Sequence, residues 1–212
     1  MSTMTRTANR SAAVASPASR PTNGQAAWVP PPDGAWTYDD YARLPDNGFR
    51  YEVIDGALVM SPAPLMGHQL ISAALMSALR AYVRRHRLGI VVAAPVDVQL
   101  GDRATPVQPD IVFVARERLH IVGRERIEGA PDLVVEILSR STAARDRGLK
   151  FDLYAASGVR EYWLADPDER TLEVYVLRGQ AYAPLGSYRP GEVAASELLP
   201  SLKLKVKELF ED

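Results

Sequence analysis

Three carboxylates stand in runs of apolar residues, where a charge is costly. Glu136 lies inside "PDLVVEILSRST" (131–142), between Leu133, Val134, Val135 and Ile137, Leu138. Asp110 opens "QPDIVFVAR" and Glu52 sits in "FRYEVIDG". The two-residue period of a strand puts Glu136 on one face with Val134 and Leu138, Asp110 with Val112 and Val114, and Glu52 with Ile54. An unpaired buried carboxylate either costs several kcal/mol or takes up a proton. Three gathered together would repel one another. A divalent cation reverses that repulsion, and two or three carboxylates plus waters form a ligand set that Mg²⁺ accepts.

Two further groups can reach such a site. Lys150 falls at the edge of a helical stripe marked by Leu149, Leu153 and Ala156, where its stem can lie on apolar surface and its amine can enter a site. His68 falls near the start of a long helix, at the edge of the apolar face that includes Ile71. Each residue also has a plainer reading. Glu136 could be a buried ion pair with Lys150 or an arginine, and Asp110 could end a loop by accepting backbone amides. Glu52 could face Arg50 or Arg80 in solvent, Lys150 could pair with Asp146 on a helix surface, and His68 could be an ordinary helix-start histidine. Asp132 shares the parity of Glu136 and is a second-tier candidate.

The positioning elements follow from the pattern. Thr37 suits the N-cap of a short helix over "YDDYARL". "FRYEVIDGALVMSP" reads as a hairpin turning at Asp55-Gly56. Apolar pairs recur every four residues from Leu70 to Val83, which predicts a helix over 65–87. "GIVVAAPVDVQL", "QPDIVFVAR" and "APDLVVEILS" are strands. A helix capped by Ser141 is expected over 142–157, with Gly158 as its stop and Gly148 a weak point inside it. "VREYWLAD" and "TLEVYVL" form a hairpin across "PDER", with "EYW" and Tyr154 in the core. The fold class is mixed α/β (α+β), a central mixed sheet flanked by helices.

The bulk numbers narrow the function. The 212 residues contain no cysteine, so disulfides, thiolate metal sites and cysteine catalysis are excluded. No apolar run is long enough to span a membrane, and the N-terminus lacks a signal-like apolar region, so a cytoplasmic protein is expected. Residues 1–34 are rich in Ser, Ala, Thr, Pro and Asn and read as a disordered tail, with the domain over 35–212. Net charge is −1, and −3 without the tail's Arg6, Arg10, Arg20 and Asp33. Such a chain does not coat nucleic acid by charge alone. The arginines of "RAYVRRHR" are a solvated helix face that could touch phosphates. Walker, GxSxG and HExxH motifs are absent.

Five blocks in order, "YEVIDG", "SPAP…H", "QPDIVFV", "APDLVVEILSRST" and "RDRGLKFDLYAASGVREYWLADP", resemble the Uma-type, restriction-endonuclease-like family of the PD-(D/E)XK nuclease superfamily. The resemblance covers roughly residues 37–185. It implies a restriction-endonuclease-like core. It also implies Asp110, Glu136 and Glu52 as metal ligands for Mg²⁺ or Mn²⁺, Lys150 as catalytic lysine, and DNA as the nucleic-acid partner. Asp110, Glu136, Lys150, Glu52 and His68 are thus the candidate catalytic set. The wider pattern places a lysine two residues after the glutamate, where this chain has Leu138. The expected function is a Mg²⁺-dependent endonuclease. The alternatives are an inactive binding module held by a Glu/Asp–Lys network, and a metal-dependent hydrolase of another phosphate ester. Nucleases that cut both strands are often dimers, so a homodimer is an open option.

Overall fold

The computed structural model describes residues 28–101 and 106–211. The chain divides into two units, Met1–Pro30 and Pro31–Asp212, and every element below belongs to the second. For residues 1–27 the expected tail lies outside the described residues.

Helix α1 (Tyr38–Tyr41) begins as its cap requires, Thr37 and Asp40 exchanging backbone and side-chain bonds in a capping box. Strands β1 (Arg50–Ile54) and β2 (Ala57–Ser61) form the expected hairpin. Its turn has Asp55 at φ 50° and Gly56 at φ 71°, the left-handed pair of a tight hairpin. A Cβ on Gly56 would come within 2.5 Å of the Gly34 carbonyl oxygen, so the position needs glycine twice over. Helix α2 (Met66–His86) buries Ile71, Leu75, Leu79 and Val83, a four-residue repeat that keeps one stripe facing the core.

The chain continues through β3 (Gly89–Ala93), β4 (Asp97–Gln99), β5 (Ile111–Ala115), a 3₁₀ helix (Arg116–Ile121), β6 (Arg126–Glu128) and β7 (Leu133–Ile137). Helices α3 (Ala143–Asp146) and α4 (Leu149–Ser157) follow. They lead to β8 (Glu161–Asp166), β9 (Thr171–Arg178), β10 (Ala181–Tyr188), β11 (Val193–Ala194), β12 (Leu204–Lys205) and α5 (Lys207–Phe210). Six strands make a central mixed sheet in the order β10-β9-β8-β7-β5-β3. β7 and β8 are parallel and joined through α3 and α4, while the other pairs are antiparallel.

Side-chain alternation along β5 and β7 divides the core into two layers. Phe113, Val135 and Ile137 pack with Leu75 and Leu79 of α2. Val112, Val134 and Leu138 pack with Ile54, Tyr154 and Tyr162 on the other face. Phe151 of α4 wedges edge-on against Tyr175 and Tyr182, ring centroids 4.9 and 5.0 Å away. "EYW" and Tyr154 are core, as expected.

Two elements differ from the sequence reading. The helix expected over 142–157 is broken: the backbone leaves helical geometry at Gly148 (φ −120°, ψ −93°), between α3 and α4. Thr142, not Ser141, stands at the cap position, and its hydroxyl is bonded to Ser139. Glycine's low helix propensity allows the break. Glu52 does not stand in the central sheet. Its strand pairs with β2 alone, and the hairpin packs onto the sheet through Ile54.

Two fully buried acids serve the scaffold. Asp132, at the end of β7 away from Glu136, accepts from Ala115 N at 2.8 Å and pairs with Arg118 and Arg160. Glu161 accepts from Trp163 Nε1, Ser196 Oγ and the amides of Glu197 and Leu198, anchoring the C-terminal loop to β8. Glu161→Ala would leave these donors without an acceptor, each at about 1–3 kcal/mol. A loss of at least about 3 kcal/mol in urea unfolding is expected.

Candidate active site

The carboxylates converge where β5 begins and β7 ends, beside the β1–β2 hairpin. Glu52, Asp110, Glu136 and Lys150 all line one cavity of about 860 Å³, whose lining also includes Ser139 and Arg140. Glu52, Asp110, Glu136 and Lys150 are each 3–5% exposed. The five sequence candidates, including His68, therefore meet in one place.

Lys150 stands at the centre. Its Nζ lies 2.8 Å from Glu52 Oε1, 2.9 Å from Glu136 Oε1 and 3.8 Å from Asp146 Oδ1. Tyr154, one turn further along α4, donates its hydroxyl to the same Glu136 oxygen at 2.7 Å. Asp110 is held separately. Its Oδ1 accepts from Arg50 at 2.8 Å, and its Oδ2 accepts from His68 Nε2 at 3.0 Å and from the Ile137 amide at 2.8 Å. Glu52 also accepts from the Gln108 amide at 2.8 Å, tying the hairpin to the segment that leads into Asp110.

The electrostatics separate these acids. Burial alone would raise the Asp110 carboxyl, but the hydrogen bond and charge of His68, the Ile137 amide and Arg50 outweigh it and hold it below the usual range. Burial dominates at Glu136, with repulsion from Asp146, Asp110 and Glu52 added. Lys150 offsets only part of this, and the carboxyl is pushed up to about 8. Asp146 is raised for the same first reason. Burial works against the Lys150 cation, yet Glu136, Glu52 and Asp146 together hold its amine well above its ordinary value. Three acids share one lysine, and the excess negative charge favours the protonated form of Glu136 and of Asp146.

The expected lysine position is filled by Leu138, which is buried in the apolar layer. The amine reaches Glu136 from α4 instead. Sequence reasoning missed Asp146, Arg50 and Tyr154 as members of the site. Asp146 entered only as an alternative surface partner of Lys150, and the structure buries both. The arginines of "RAYVRRHR" are not at this site. Arg84 lies about 24 Å along α2 from His68 at 1.5 Å per residue.

Whether these residues suit a divalent cation is answered by their chemistry. The donors are hard oxygens with excess negative charge, which fits. Among the described residues no three His, Asp or Glu side chains already surround a point where an ion would sit. The acids are drawn onto Lys150 and Arg50 instead, so a cation would have to compete with the lysine or be held partly through water, as Mg²⁺ commonly is.

The mixed sheet and its acidic cleft define a restriction-endonuclease-like domain. A family model described as "Uma2: Putative restriction endonuclease" matches residues 38–207, and the chain belongs to that family. A crystal structure from Anabaena variabilis ATCC 29413, described as "a putative nuclease belonging to DUF820", superposes with a TM-score of 0.68 at 24% identity. The match covers 82% of this chain and 97% of that one, and at this identity it shows the fold. No curated relative matches the chain. Among the described residues no helix is long and apolar enough to cross a membrane.

Two outcomes follow from the shared lysine. Lys150→Met would leave three buried acids without their cation, a change expected to cost about 3–5 kcal/mol in urea unfolding at pH 7. For Glu136 the folded value lies above the ordinary 4.5, so its contribution to stability is intact below 4.5 and is lost as pH rises through about 8. Metal-free protein should lose stability over that window, and Glu136→Gln should flatten the slope in pH-dependent melting curves.

Proposed function

We propose that the cleft hydrolyses phosphodiester bonds of DNA, assisted by Mg²⁺ or Mn²⁺ held by Asp110, Glu136 and Glu52. The observation that carries this reading is the excess of buried acid over buried base in a cavity open to solvent. A purely structural network is better served by matched charges, and an unmatched one is what a cation would complete. The cation, when bound, would activate water and neutralise charge on the phosphate.

The chain's own residues have distinct parts. Arg50, His68 and the Ile137 amide fix Asp110 as an ionised, oriented acceptor. Glu136 would hold the cation as a carboxylate, and because its carboxyl is pushed up to about 8, cation affinity would rise with pH towards that value. Lys150 would present its amine to the water or to a phosphate oxygen. Tyr154 holds Glu136 Oε1 while this happens. Arg145 and Arg140 line the same cavity and offer positive charge to the phosphates on either side of the bond. One cleft cuts one strand, so double-strand cleavage would call for two copies or two encounters.

The second reading is an inactive binding module. It is favoured by one observation, the closure of Glu52 and Glu136 onto Lys150 at 2.8 and 2.9 Å. Plasmid cleavage separates the two. Wild type with Mg²⁺ or Mn²⁺ should nick supercoiled DNA, EDTA should stop it, and Asp110→Asn or Glu136→Gln should lower the rate by at least about 100-fold. Lys150→Met should lower it as well. Activity unchanged in Asp110→Asn or Glu136→Gln would show that the cutting site lies elsewhere, and no cleavage with either ion would favour the binding module.

A further inference from the structure

The arginines left over from the catalytic cleft frame a second groove. A cavity of about 620 Å³ is lined by Arg80, Arg84, Arg87 and Arg116, with Val91 and Leu119 among its apolar residues. No acidic or aromatic residue lines it. Among the described residues none of the four guanidinium groups forms an ion pair or a side-chain hydrogen bond. The groove runs beside β3, the last strand of the central sheet.

β3 is an open edge. Arg116 N donates to Leu88 O and Ala94 N donates to Asp110 O, which marks the even-numbered residues of this stretch as those bonded to β5. Gly89, Val91 and Ala93 therefore turn their N–H and C=O groups outward. The opposite edge of the sheet is protected: β10 carries Pro184 and a register shift beside it, both of which hinder strand addition. β3, "GIVVA", carries no charge, proline or bulge.

We propose that β3 accepts an extended acidic peptide segment of a partner protein as an added strand, with Arg80, Arg84, Arg87 and Arg116 pairing with its carboxylates. Strand addition draws affinity from the main chain and specificity from flanking side chains. Alternating outward amides and carbonyls match a peptide backbone. Single-stranded nucleic acid would instead need stacking rings, which the groove lacks. A second copy of this chain would set arginine against arginine. Residues 1–27 contain three arginines and no acid, so the chain's own N-terminal segment is repelled as well.

The test titrates the full chain with short labelled peptides, read by fluorescence anisotropy. One peptide alternates Glu and Val, and a second alternates Lys and Val. Two more are Glu–Val peptides N-methylated at alternate amides, one in each register. Labelled single-stranded and duplex oligonucleotides complete the set. The Glu–Val peptide should bind saturably and the Lys–Val peptide should not. One N-methyl register should weaken binding by about tenfold while the other does not, a readout that leaves the protein unaltered. Arg84→Glu with Arg87→Glu should weaken it at least as much while the melting temperature is kept. Absence of Glu–Val binding, indifference to both N-methyl registers, or indifference to the arginine changes would overturn the proposal. Oligonucleotide binding that depends on Arg84 and Arg87 would also overturn it, by giving the surface to nucleic acid.

Discussion

Lys150 is the constraint on which the site depends. Its amine sits among acids delivered by three separate elements: Glu52 from β1, Glu136 from β7 and Asp146 from α3. Without that cation the hairpin, the central strand and the helical connection would bring like charges together in a medium that screens them poorly. With it, the hairpin can lie over the sheet and close the cleft. Yet one lysine does not balance three acids, and burial with the shared negative charge pushes the Glu136 and Asp146 carboxyls upward. The cluster is stable enough to fold and still short of positive charge.

Asp110 shows a contrasting solution a few residues away. It is as buried as Glu136, but the Arg50 guanidinium, the His68 ring and a backbone amide meet its oxygens, and its carboxyl is held below the usual range. One acid is therefore held as an anion, while burial and neighbouring acids push the other's carboxyl up. Such a pair of unlike environments is a common basis for assigning distinct roles to similar groups. Asp132 and Glu161 mark the other extreme. Each is surrounded by donors and committed to holding loops to the sheet.

Much of this was legible in the sequence because strand alternation is a strict rule. The parity of Val134, Glu136 and Leu138 put Glu136 on one face with them, the face that packs against Tyr154. Proline before Asp110 marked a strand mouth. The five ordered blocks pointed to the family to which the chain belongs. The hairpin at Asp55-Gly56 was readable because a two-residue turn tolerates few other residues. What was not legible depended on contacts between distant segments. Glu52 carries no sign that its strand stands outside the central sheet. Asp146 reads in the sequence only as a possible surface partner of Lys150, and its burial beside the site appears in the structure alone. Arg50 becomes a site residue through a partner 60 positions away.

The most direct test of the central claim, that the buried acids are built to hold a cation, is thermal melting in EDTA, Mg²⁺ and Mn²⁺ for wild type and Glu136→Gln in parallel. Wild type should melt higher with either ion, by the equivalent of about 2.7 kcal/mol at a hundredfold excess over the dissociation constant. Glu136→Gln should respond little. The same melting temperature in all three solutions for wild type, together with a strongly destabilised Glu136→Gln, would mean that Lys150 and the acids form a closed structural network.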